Sequence, residues 1–165
     1  MNFSRTLKHL FTTHWALRRA FPTPALAAIE RAVREAEQGH NGQIRVVIEA
    51  ALPAEALWHD QPARNRAIEV FAASRVWDTE HNNGVLIYLL FADHDVEIVA
   101  DRGIATRVAD EEWESLCRDM ERAFKDGRFE TGLVSGIGAV ADHLAVHFPA
   151  SEQGSNELPD KPLML

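Results

Sequence analysis

The chain is short of cysteine, of basic charge and of uninterrupted apolar sequence, and each shortage excludes a class of protein. One cysteine among 165 residues, Cys117, rules out a disulfide within the chain. It lies near Trp113, Leu116 and Met120 in a helical pattern, where a small core side chain is expected. Its acidic neighbours Glu114 and Asp119 would raise a thiol pKa and blunt its reactivity. Lysine and arginine number 17 against 25 acidic residues, a formal charge of −8, which argues against nucleic acid as a partner. No run approaches the ~20 apolar residues that span a bilayer. The N-terminal apolar positions are interrupted by Lys8, His9, Arg18 and Arg19, unlike a signal peptide, so a cytoplasmic location is expected. No glycine-rich phosphate loop follows a strand, so no organic cofactor is expected. Ser135 falls within a helical pattern rather than at a strand-to-helix elbow.

What is present is a core. With 46% hydrophobic residues the chain suits one globular domain. Val85 to Phe91 is continuously apolar or aromatic, the pattern of a central strand covered on both faces. Val96, Ile98 and Ala100 then alternate with Glu97 and Val99, as in a strand with one drier face. The short Ala92–Asp95 turn makes the two an antiparallel hairpin. That places Asn82-Asn83-Gly84 beside Asp101-Arg102-Gly103 at one end of the sheet.

Upstream, residues 4–20 read as one helix, bounded by Pro22 and Pro24. Thr23 is expected to cap a second helix carrying Leu26, Ile29, Val33 and Ala36. A strand over 43–50, a loop over 51–63 and a helix over 64–77 with Ile68, Phe71 and Ala72 inward follow. This strand–helix–strand unit makes the first two strands parallel neighbours. Two further helices, from Asp110 and over 129–147, complete an α/β domain with helices on both faces of a mixed sheet. Residues 1–21 form a separate basic amphipathic segment, 22–149 the domain, and 150–165 a polar tail expected to be disordered.

The order of elements resembles the TPM domain, shared by a thylakoid lumen protein, a photosystem II repair protein and a nematode receptor modulator. The resemblance rests on Gly42-Gln43-Ile44-Arg45-Val46-Val47, on Asn82-Asn83-Gly84-Val85-Leu86-Ile87, on Val96 to Ile104 and on Phe124 to Gly132. It implies a three-layer αβα sandwich whose small mixed sheet is a parallel pair plus the hairpin. It also implies a function among phosphatase-like hydrolysis, binding of calcium or another divalent cation, and assembly with a protein partner. The chain departs from the family where Asp101-Arg102-Gly103 replaces a Gly-aromatic-Gly exit.

The residues offer several sites. Asp78, Glu80, Asn83 and Asp101 supply the oxygens a hard divalent cation such as calcium prefers. Asn82, Asn83 and Arg102 would hold a phosphorylated or other anionic ligand. A metal-assisted phosphatase would use Asp78 and Asp101 with the ion. Against this, Asn-Gly is ordinary turn chemistry, and Asn or Asp at a strand end often only satisfies loop amides. Asp93-His94-Asp95 reads as a solvent-facing hairpin tip, and His143 with His147 as a solvated helix face rather than a zinc site. Residues 3–21 suit weak contact with an anionic membrane surface.

Overall fold

A four-stranded sheet forms the middle layer, with β1 (Gln43–Glu49), β2 (Gly84–Leu90), β3 (Asp95–Ala100) and β4 (Leu163–Met164) in the order β3-β2-β1-β4. The structure is a computed structural model that describes residues 3–151 and 155–165. β1 and β2 run parallel with Gln43 opposite Gly84; β2 and β3 run antiparallel with Val85 opposite Ala100. The mixed α/β architecture therefore stands as the sequence implies.

Alternation along each strand divides the core in two. Ile44, Val46, Ile48, Val85, Ile87, Leu89, Val96 and Ile98 face one side, and Val47, Leu86, Tyr88, Leu90 and Val99 the other. The first side is covered by α2 (His14–Ala20), α3 (Thr23–Ala36), α7 (Asp110–Lys125) and α8 (Phe129–His147). The second is covered by α4 (Ala54–Trp58) and α5 (Ala63–Ala73). Each fully buried Leu or Ile contributes about 1.5–3 kcal/mol, so both layers are needed to hold the sheet.

Gly132 and Gly136 let α8 lie against α7. A Cβ on Gly136 would sit 2.2 Å from the Met120 sulfur, and one on Gly132 2.6 Å from the Phe124 ring.

Four expectations need correction. The helix expected over 4–20 is two, α1 (Phe3–Phe11) and α2, because the Thr13 hydroxyl accepts from Ala16 N at 3.2 Å and caps a new start. Thr23 lies inside α3, whose cap is Pro22. In α5 the buried residues are Ala63, Ala67 and Val70, while Ile68 is 49% exposed. Small residues, not the largest hydrophobe, bring that helix close to the sheet.

The tail is the fourth. Residues 152–154 lie outside the described residues, but 155–165 run along β1 instead of being disordered. Gln43 Oε1 accepts from Glu157 N at 2.7 Å and Leu158 N at 3.0 Å. Arg45 Nη1 donates to Pro159 O and Lys161 O, each at 2.7 Å. β4 then pairs parallel to β1, with Leu165 N donating to Ile48 O at 2.9 Å. The tail is polar in composition, and it is held by polar side chains of β1 rather than by burial alone.

Candidate functional site

The two parallel strands begin, and β3 ends, at the same edge of the molecule. There Asn82 adopts a left-handed φ of 51° and its Oδ1 accepts from Arg102 Nε at 3.0 Å. Asn82 O accepts from Gly103 N at 2.8 Å, and a Cβ on Gly103 would come within 2.4 Å of that same oxygen. Gly84 is likewise required for close approach, since a Cβ would stand 2.1 Å from Val76 O. The two glycines let the two loops touch.

Asn83 and Asp101 border this junction, Asn83 preceding the Gly84 that Asp101 faces. Asp101 N donates to Gly84 O at 2.8 Å, and Asp101 Oδ1 accepts from Arg102 N at 2.7 Å, capping the short helix α6 (Arg102–Ala105). Asn83 N donates to Thr79 Oγ1 at 3.1 Å and its Nδ2 to Asn41 O at 2.9 Å. The Nδ2 bond fixes the amide orientation, because a flip would set oxygen against oxygen. Two oxygens are then left over. Asn83 Oδ1 and Asp101 Oδ2 are buried with no hydrogen-bond partner, in side chains of residues only 0% and 9% exposed. Buried acceptors are nearly always paired, so a pair of orphans at one junction calls for a reason.

The other residues expected at the site do not join them. Asp78 is exposed and its Oδ2 accepts from Arg75 Nη2 at 2.7 Å. Glu80 is exposed, and its backbone N–H goes to Glu157 Oε2 at 3.0 Å. Among the described residues no group of three or more His, Cys, Asp and Glu side chains is placed to hold a metal ion. Beside the junction, burial pushes the Glu37 carboxyl up to about 7, against the bond it accepts from Ile44 N at 2.8 Å. His40, whose Nδ1 donates to Gly42 O at 3.0 Å, has a buried Nε2 without a partner and a pKa lowered by burial.

The opposite end of the sheet is differently built. His94 takes a left-handed φ of 54°, as a hairpin tip requires. The tip does not face solvent as expected, because α1 covers it. Asp93 Oδ2 accepts from Arg5 Nε at 2.8 Å and lies 3.1 Å from His9 Nε2. Leu52 N donates to His9 Nδ1 at 3.0 Å, so the ring proton sits on Nε2 and points at Asp93. Burial works to raise the Asp93 carboxyl, but His9 and Arg5 outweigh it and hold it below the usual carboxylate range. Nearby, Arg66 grips Glu49 with two bonds of 2.9 Å while Tyr88 OH donates to Glu49 at 2.7 Å.

The sequence profile of the TPM domain matches residues 20–143. The chain belongs to the TPM domain family. This TPM domain is similar to the BA42 protein of the psychrophilic bacterium Bizionia argentinensis, solved by NMR, at 32% identity and a TM-score of 0.76 over 88% of this chain and 95% of that one. It shares its fold with the N-terminal domain of a P. gingivalis protein, solved by NMR, at 21% identity, TM-score 0.57, and 74% and 76% coverage. A third likeness is to the N-terminal domain of a Corynebacterium glutamicum protein, at 12% identity, TM-score 0.54, and 78% and 77% coverage. No curated protein matches the chain significantly.

Two groups of residues carry almost no signal in the sequence pattern: Asn41 and Thr79, which hold Asn83 in place, and, ahead of the TPM domain, Arg5 and His9, which seal the hairpin tip. The one available signal is His9, a polar residue at a position the structure buries to 3% exposure. Cys117 is half-buried, with a thiol pushed up to about 12 chiefly by burial, consistent with an unreactive packing residue.

Proposed function

We propose that this TPM domain is a binding or assembly module that takes a divalent cation of the calcium type between Asn83 and Asp101. The orphaned buried pair, Asn83 Oδ1 and Asp101 Oδ2, carries the reading. One amide oxygen and one carboxylate oxygen are hard donors of the kind calcium selects. With a single carboxylate at the junction, backbone carbonyls and water would complete the shell. Low ligand charge places the affinity at about 10⁻⁴–10⁻³ M, the weak end of protein calcium sites. The test is a calcium titration followed by backbone amide NMR, with magnesium as control. Saturable shifts at residues 79–84 and 101–104, reduced at least tenfold in affinity by Asp101→Asn, are expected; no saturable shift there overturns the reading.

A second reading, peripheral contact with an anionic membrane, draws on the exposure of Leu10, Phe11 and Trp15 at 67%, 78% and 68%. Lys8, Arg18 and Arg19 flank them, while Arg5 is committed to Asp93. Three charges at ~1 kcal/mol each give weak, salt-sensitive adsorption. No helix among the described residues is long and apolar enough to cross a membrane. Co-sedimentation with phosphatidylserine vesicles at low salt, lost in Trp15→Ala/Phe11→Ala, is the expected outcome; protein that stays in the supernatant removes this reading.

A further inference from the structure

β3 is an open edge of the sheet, and a groove of about 490 Å³ runs beside it between α7 and the start of α5. Because Asp101 N bonds to Gly84 O, the strand's alternation turns the backbone groups of Val96, Ile98 and Ala100 away from β2 and toward this groove. Only side chains occupy them. Val96 N donates to Glu121 Oε1 at a long 3.3 Å, Ile98 O accepts from Arg64 Nη1, and the Ile98 N–H faces the Cys117 thiol of α7. Arg64 and Glu121 are flexible groups reaching in from the helices, and they can swing aside where a paired strand cannot.

The groove is also electrostatically incomplete. Five carboxylates line it, those of Asp95, Glu97, Asp110, Glu114 and Glu121, against two guanidinium groups. Arg64 lies 3.4 Å from Glu97 and Arg118 3.4 Å from Glu114, which leaves Asp110 and Glu121 without a salt bridge among the described residues, and Asp95 with only the longer-range attraction of Arg5. Burial, then repulsion from Glu97 and Glu121, pushes the Asp95 carboxyl up to about 6. Trp113, 6% exposed, lines the same groove with an indole N–H that meets no acceptor.

We propose that this groove receives an extended, basic segment of a partner protein, which adds to β3 as a fifth strand. Such a segment supplies what the groove lacks. Its backbone pairs with Val96 N and Ile98 O once Glu121 and Arg64 move, a carbonyl satisfies the Trp113 N–H, and lysine or arginine side chains on one face meet Asp95, Asp110 and Glu121. The six residues of β3 span roughly 20 Å at ~3.3 Å each, which fits a partner segment of six or seven residues. This site is separate from the cation junction and stands or falls without it.

The experiment titrates the full chain, ¹⁵N-labelled, with a heptapeptide of alternating threonine and lysine, the same peptide with glutamate for lysine, and spermine. Saturable shifts of the Val96, Ile98 and Ala100 amides and the Trp113 indole N–H with the lysine peptide alone are expected. Asp95→Asn/Glu121→Gln is expected to weaken that binding at least tenfold. The proposal is overturned if the lysine peptide gives no saturable shift, if the glutamate peptide shifts the same amides, or if spermine reproduces the pattern. The peptide series on the unaltered protein decides the matter even if the double variant folds poorly.

Discussion

The two ends of the sheet treat their buried polar groups in opposite ways. At the hairpin end, Asp93 is matched by Arg5 and His9, and Glu49 by Arg66 and Tyr88. At the loop end, Asn83 Oδ1, Asp101 Oδ2 and His40 Nε2 are unmatched, and Glu37 sits where burial favours its neutral form. Matched charges are structure: they hold α1 and α5 onto the strands. Unmatched oxygens cost stability unless strain stored for a purpose, an ordered water, an ion or a partner accounts for them. Asp95 is the exception at the hairpin end, and it belongs to the edge groove rather than to the matched pairs.

The contrast is broken most severely by removing a matched partner. Arg66→Ala leaves the Glu49 carboxylate buried and uncompensated, in a side chain only 4% exposed. A loss of about 3–5 kcal/mol is expected in urea unfolding. Arg66→Lys keeps the charge but not the bidentate fork, and should recover only part of it. A loss below 1 kcal/mol would mean that the network is not a structural element. Next comes Asp93→Ala, which strands the buried His9 N–H and leaves Arg5 its bonds to Asp60 and Gln61 O, at about 1–3 kcal/mol. The Asp93 contribution is present above the ordinary aspartate pKa and fades as pH falls through its lowered native value. The variant should therefore differ from the parent at neutral pH and converge with it as pH falls through that lowered value, and amide exchange in α1 should speed up.

Why one contrast was legible in sequence and the other was not follows from how far apart the partners lie. The hairpin is readable because Val85 to Phe91 and the alternation after it are local patterns, and antiparallel pairing alone sets Gly84, next to Asn83, opposite Asp101. Asp78 and Glu80 share a loop with Asn83, yet Arg75 holds one and both remain exposed. A loop side chain's direction is not periodic, so spacing could not separate them from the site. The tail is the clearest failure. Its order comes from Gln43 and Arg45, two polar residues in a buried strand whose partners are more than a hundred positions away. The polar tip Asp93-His94-Asp95 reads as solvated for the same reason: its cover, α1, comes from the other end of the chain.

At the loop end the expected effects are smaller and of opposite sign. Glu37 has a native pKa of about 7, above its ordinary value, so the folded protein binds more protons than the unfolded chain between those two values. Stability should fall as pH rises from about 4.5 to about 7, and Glu37→Gln should flatten that slope while keeping an acceptor for Ile44 N. An unchanged slope in a series of urea melts would locate the uncompensated carboxyl elsewhere.

Asp101→Asn is the smallest change and the most discriminating. Asparagine caps a helix as well as aspartate, so α6 should keep its first turn, and without calcium the unfolding free energy should move by no more than about 0.5 kcal/mol. With calcium the two proteins should part. Saturating the parent at a hundred times its dissociation constant adds about 2.7 kcal/mol, and a variant bound tenfold more weakly gains only about 1.4 kcal/mol at the same concentration. If Asp101→Asn instead destabilises the calcium-free protein by 2 kcal/mol or more, Asp101 Oδ2 has a partner inside the fold, and the two ends of the sheet are alike after all.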